Sequence, residues 1–344
     1  MSVTGKTLDA DILRFGGESV VENLSLDGNF TLTREFVSKE SPWPLTATGD
    51  RLVIQSESND RSNVYLVGQP AKIAVGSGWV IAKELQLSQN DQLFWINHPG
   101  ELVMPQEALV QEPTERRLPD LPGTKPTKQE PWNWKSPPRI QWGERMTFDG
   151  RNARFGGGVT LDCRLQTDPS TLWHLLANAR TMTLDMSQRV PFQIPTASSK
   201  EVQRTGPQRS EQPRPEVQVL RFDGEVDIKA VQTDLAGVRK SAENLVLPRL
   251  EFQIPSRSWV GYGPGQLWSR RFANDAALPD PTLKPGVGNT LNTSSGRESL
   301  QCLHLTFVGR MEGSIPQKMV SFYDKIAALL GPIATWEEIG RAHV

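Results

Sequence analysis

Leu24-Ser25-Leu26-Asp27-Gly28-Asn29-Phe30-Thr31-Leu32-Thr33 is the stretch whose pattern the rest of the chain repeats. Leu26, Gly28, Phe30 and Leu32 recur every second residue, the period of a β-strand, so their side chains share one face while Asp27 and Asn29 point to the other. The same motif, an apolar residue, Gly two on, then apolar residues at plus four and usually plus six, returns as Phe155-Gly157-Val159-Leu161 and Phe222-Gly224-Val226-Ile228. A looser copy is Phe307-Gly309-Met311-Gly313. Glycine on the inward row makes room for a bend, a bulge or a close backbone approach.

A second motif, Ala-x-x-apolar-x-apolar, recurs as Ala82-Leu85-Leu87, Ala179-Met182-Leu184 and Ala242-Leu245-Leu247, and reads as the next strand of each unit. A third sets an aromatic before a Pro-Gly turn and a further strand, from Trp95 through Pro99-Gly100 to Leu102 and from Trp259 through Pro264-Gly265 to Leu267. Three ordered motifs in distant parts of one chain argue for true internal repeats, and the fold class expected is all-β. From Met319 to Ile333 the apolar spacing fits a helix as well as a strand. The series Phe322, Asp324, Ile326, Ala328 repeats the first motif with Asp in the glycine position, and favours strand, with Gly331-Pro332 as a turn leading to Ile333 and Trp336.

Composition narrows the function. With 38 Lys+Arg against 39 Asp+Glu, the net charge is −1, and nothing draws the chain to nucleic acid. No run approaches the roughly 18 apolar residues of a transmembrane helix, and no signal peptide follows Met1. Hydrophobic residues make up 37%, and 28 Gly with 26 Pro suit strands joined by turns around a thin core. Two cysteines, Cys163 and Cys302, allow a single optional disulfide and no metal pair.

Pro105 to Pro138 is rich in proline and charge and lacks an apolar period. The expected organisation is a β unit at 1–110, a Pro-rich linker at 111–138, and a second β unit at 139–337 with long loops at Thr196 to Pro215 and Asn274 to Arg297. Repeat-like sequence starts at Leu8, so the architecture is expected to extend upstream of Met1. Glu338-Ile339-Gly340-Arg341-Ala342-His343-Val344 matches the peptide that a sequencing adapter encodes in one frame, and it is set apart from the fold.

Catalytic signatures are absent from the sequence. His98, His174 and His304 stand in no HExxH or H-x-H arrangement. Gly156-Gly157-Gly158 precedes a strand and no GxxxxGK[ST] occurs, so it reads as a bend. No GxSxG elbow is present. The expectation is a protein that is not an enzyme and carries no cofactor.

The stretches Leu24 to Thr33, Ala47-Thr48-Gly49-Asp50-Arg51-Leu52-Val53-Ile54 and Val64-Tyr65-Leu66-Val67-Gly68-Gln69-Pro70-Ala71-Lys72-Ile73 resemble, in content and order, the OstA-like family of lipopolysaccharide-transport proteins. The likeness covers the first unit well and the second more loosely, through Phe155 to Leu161, Ala179 to Leu184 and Phe222 to Leu247. Long insertions in the second unit and 10 Trp depart from the family pattern. The resemblance implies an open β-jellyroll with a V-shaped section that holds acyl chains. It also implies a periplasmic, cell-envelope location, a lipopolysaccharide-like lipid as partner, edge-to-edge stacking with other such domains, and room for a membrane anchor upstream. In such a groove the wall is Leu26, Phe30, Leu32, Leu52, Ile54, Leu66, Ile73, Leu85 and Leu87, residues that could equally fill one another's space as a closed core. The rival is a structural or carbohydrate-binding scaffold, in which Trp79, Trp95, Trp132, Trp134, Trp259 and Trp268 stack on sugar rings if they point outward and act as plugs or lipid wall if they point inward.

Overall fold

The computed structural model describes residues 2–15, 18–34, 44–58, 61–105, 133–190, 216–273, 299–317 and 319–337. These form a single antiparallel sheet of strands and contain no α-helix. The all-β expectation holds. The long loops expected at Thr196 to Pro215 and Asn274 to Arg297, the adapter-like tail and most of the expected linker lie outside the described residues.

Long strands that bend in the middle set the architecture. β1 (Ser2–Thr4) and β2 (Thr7–Phe15) both pair with β3 (Glu18–Arg34), which leads to β4 (Leu45–Ser58), β5 (Arg61–Val75) and β6 (Gly78–Ser88). Where β3 meets β4, the register slips between Asp27 and Phe30; where β4 meets β5, it slips between Thr48 and Arg51. The slips fall in line across the sheet and divide it into two leaves.

At the next rungs, separate short strands replace the bent ones. β7 (Leu93–Ile96) and β10 (Arg145–Phe148) pair in one leaf, β8 (Gly100–Val103) and β9 (Asn133–Trp142) in the other, and both pairs rejoin on β11 (Asn152–Asp168). Bent strands resume with β12 (Thr171–Met186), β13 (Val217–Asp234) and β14 (Arg239–Gln253). The sheet then splits again. β15 (Ser258–Tyr262), β18 (Arg310–Ser314) and β19 (Met319–Phe322) continue one leaf, and β16 (Gly265–Phe272), β17 (Leu300–Phe307) and β20 (Ala327–Pro332) the other.

The repeated glycine explains the bend. Gly28, Gly157 and Gly224 have φ of 86°, 81° and 78°, and each sits at a register slip. A side chain at this left-handed backbone costs about 1–2 kcal/mol, which is why the inward row carries Gly there. Asp324, read from sequence as the stand-in for that glycine, has φ of 66° and occupies the equivalent corner between β19 and β20. Gly156-Gly157-Gly158 forms a bend as expected, but inside β11 rather than ahead of it.

Other readings are corrected. The linker expected at 111–138 ends early, because residues 133–138 belong to β9, whose pairing with both β8 and β11 carries the sheet from one sequence unit to the next. One buried cluster runs from Leu26 to Met311, so the two units share a core. Gly331-Pro332 is not a turn: it lies in β20, opposite Cys302 and Gln301. The second motif is the next strand at β12, but Ala82-Leu85-Leu87 lies in β6, three strands after β3. Its third copy is misaligned. Ala82 and Ala179 precede the bend, whereas the bend of β14 falls at Pro248, so Leu247, Leu250 and Phe252 are the true counterparts.

Candidate functional site: a two-walled apolar groove

Cross-strand rows of inward side chains line each leaf. In one leaf the row nearest the bend runs Leu26, Leu52, Leu66, Leu85, then Ile96, Met146, Phe155, Met182, Phe222 and Leu250. Each of these residues is at most 5% exposed. In the other leaf a row one step out from the bend runs Leu32, Ala47, Ile73, Val80, Leu102, Ile140, Leu161, Ala177, Ile228, Leu245, Leu267 and Leu305, apolar throughout. Strand alternation explains why both rows are apolar on one side only.

The leaves face one another. Trp142 of one leaf and Phe155 of the other have ring centroids 5.5 Å apart, and Phe307 and Phe322 are related in the same way at 5.3 Å. Trp142 lies flat over Gly100, where a Cβ would stand 2.4 Å from its ring, and its indole N–H donates to the His98 carbonyl at 2.9 Å. Only glycine admits that approach.

All nine expected wall residues lie on the inner face, but burial sorts them. Leu26, Phe30, Leu52, Leu66 and Leu85 beside the bend are 1–3% exposed and form closed core. Leu32, Ile54 and Ile73, one step further from the bend, are half-buried and pack against that core, and Leu87 is half-buried at the same distance. Val64, Phe94, Phe148, Leu220 and Phe252 extend this second row, which is interrupted by buried Ala153 and Leu184; none of these was in the wall expected from sequence, which was drawn from the first unit alone. The half-buried part of the inner face is therefore in this outer row, at Leu32, Ile54, Ile73 and Leu87 among the expected residues.

The tryptophans divide. Trp142 and Trp259 point inward, Trp259 packing over Gly313. Trp134, read as linker, lies in β9 and shares an inner row with Leu165 and Trp173. Trp79 faces outward beneath Lys72, and Trp268, on the outer face, stacks on His304 with centroids 4.9 Å apart and packs against a second buried cluster of Leu300, Cys302 and Ile333. Trp132 lies outside the described residues. Cys163 and Cys302 are both buried free thiols, on inner and outer faces respectively, and burial pushes Cys163 up to about 12. Among the described residues no three His, Cys, Asp or Glu side chains gather in a group able to hold a metal ion. His174 pairs with Asp162 at 2.8 Å on the outer face. Compared with family models, curated proteins and solved structures, the chain matches none.

Proposed function

We propose that this chain is a non-enzymatic lipid-binding and bridging protein of the cell envelope. It receives the acyl chains of a lipopolysaccharide-like lipid between its two leaves, as its resemblance to the OstA-like family implies. The observation that carries the reading is the change of burial along one continuous apolar surface, closed beside the bend and, one row out, half-open at Ile54, Leu87, Phe94, Phe148, Leu220 and Phe252, while Ile140, Leu161 and Ala177 of the facing leaf stay buried. Apolar area left half-open along a row is what an acyl chain covers, at about 25 cal/mol per Å². Edge-to-edge stacking fits the two ends of the sheet. At one end β2 exposes Leu8 and Ile12, and at the other β19 and β20 expose Met319, Leu329 and Leu330. Apolar side chains on an unpaired edge favour pairing with a further strand.

The test is displacement of a fluorescent fatty-acid probe by purified lipopolysaccharide, on the parent chain and on Leu87→Asp. The reading expects displacement by the parent and loss of it in a folded variant, since a carboxylate against acyl chains is poorly tolerated. A parent chain that binds neither probe nor lipid leaves the structural scaffold as the function.

A further inference from the structure

Further from the bend, in the leaf built by β13, β14, β16 and β17, the inner face changes character. The row Cys163, Leu175, Ala230 continues into Glu243, Ser269 and Leu303. The next row, Trp134, Leu165, Trp173, continues into Gln232, Ser241, Arg271 and Gln301. Ser241 and Ser269 are 8% and 4% exposed. These polar groups are chained: Arg271 donates to the Ser269 hydroxyl at 3.1 Å, Ser269 donates to the Glu243 carboxyl at 3.0 Å, and Ser241 donates to Gln232 at 3.2 Å.

Placing polar residues on an apolar wall costs free energy unless they meet partners. Nearer the bend the same strands carry Ile228, Leu245, Leu267 and Leu305, so the fold accommodates apolar residues here without difficulty. Among the described residues the Arg271 guanidinium gives one side-chain hydrogen bond, to a neutral hydroxyl, and forms no close ion pair, Glu243 being the carboxyl whose charge it feels. A planar fork of donors with one neutral partner matches the oxygens of a phosphate.

Resting on the lipid-binding reading, we propose that Arg271, Ser269 and Glu243 form a phosphate-recognition site on the inner wall. It holds the phosphate of an amphiphile whose chains run along the neighbouring half-buried apolar row at Ile228, Leu245 and Leu267. Burial raises the Glu243 carboxyl above its ordinary pKa against the pull of Ser269, Arg271 and Arg270, which favours the neutral carboxyl, a hydrogen-bond donor, over the carboxylate beside a phosphate. Trp134 and Trp173, on the same inner row as Arg271, offer apolar surface beside that site.

The experiment compares dioleoyl phosphatidate with dioleoylglycerol, a pair differing in the phosphate alone, for displacement of the fluorescent fatty-acid probe from the full chain. The parent is expected to prefer phosphatidate by about tenfold to a hundredfold, the range of a charge-assisted hydrogen bond. Arg271→Gln should abolish the preference while leaving dioleoylglycerol binding unchanged, which also reports that the variant is folded. Inorganic phosphate as competitor separates the sources: a lipid headgroup site resists millimolar phosphate, whereas a site for the free anion yields to it and, in the parent but not Arg271→Gln, protects against heat. Equal binding of both lipids by the parent, or a preference that survives Arg271→Gln, overturns the proposal while the lipid-binding reading stands. Binding of neither lipid removes both.

Discussion

Leu85 and Leu87 lie two residues apart on one strand and face the same way, yet one is 1% exposed and the other half-buried. The difference is distance from the bend. Beside it the two leaves converge and side chains fill the space between them, as Phe155 and Trp142 do; one row further out the same alternation leaves Ile54, Leu87 and Phe94 half-covered, although Ile140 and Ala177 at that distance in the facing leaf are buried. A folded sheet thus yields fully and partly buried apolar residues from one sequence pattern, and on the proposed reading stability and binding separate along strands such as β6. The comparison can be broken by mutations that act on one row and spare the other.

The largest effect is expected at Phe155, 2% exposed and in ring contact with the opposite leaf. Phe155→Ala should cost about 3–5 kcal/mol in urea unfolding, whereas truncating half-buried Leu87 should cost well under half of that. Next comes the bend itself. Gly224→Ala forces a Cβ to 2.9 Å from Arg180 at a φ of 78°, and should destabilise by about 1–2 kcal/mol without touching the inner rows.

A smaller effect separates the polar stretch of the wall from the apolar one. Because burial raises the Glu243 pKa above its unfolded value, ionising it costs more in the folded chain. Its protonated form is neutral to folding at low pH. Stability falls as pH rises from the unfolded value, about 4.3, to the higher folded value, and stays lower above it. Glu243→Gln should therefore raise the thermal midpoint at pH 7, with the gap closing below about pH 4. Equal midpoints at pH 7 would place the carboxyl in water. The smallest effect is on the outer surface, where Arg51 and Asp27 are 59% and 42% exposed and 3.3 Å apart. Arg51→Ala should change stability by no more than about 1 kcal/mol, and less at high salt.

Local chemistry governed what could be read from the chain. The glycine motif marked the bends because only a residue free of Cβ sits comfortably at that backbone, and Asp324 was legible as its substitute for the same reason. The inward row was legible because strand alternation has a fixed period. What a period cannot give is depth: Leu66 and Ile73 look alike in sequence, and their burial depends on which leaf crosses over them. Register was equally hidden. Ala242-Leu245-Leu247 matched its two relatives residue for residue, yet the bend of β14 lies one step beyond it, at a proline that the motif did not include. The start of β9 was masked by composition, since Pro137 and Pro138 sit among charged residues although the chain there is already paired on both sides. The polar site around Glu243 was not legible because its members meet only through the pairing of β14 with β16, a register that no sequence motif marks.

The central claim, a lipid groove that opens at Ile54 and Leu87 one row from the bend and is closed beside it, is tested most directly by photo-crosslinking. A benzophenone side chain is placed in turn at Leu87, at Ile54 and at outward-facing Gln86 and Arg51, and each folded variant is irradiated with lipopolysaccharide. The account predicts lipid adducts at Leu87 and Ile54 and none at Gln86 or Arg51. Adducts of equal yield at all four positions, or at none, would contradict it.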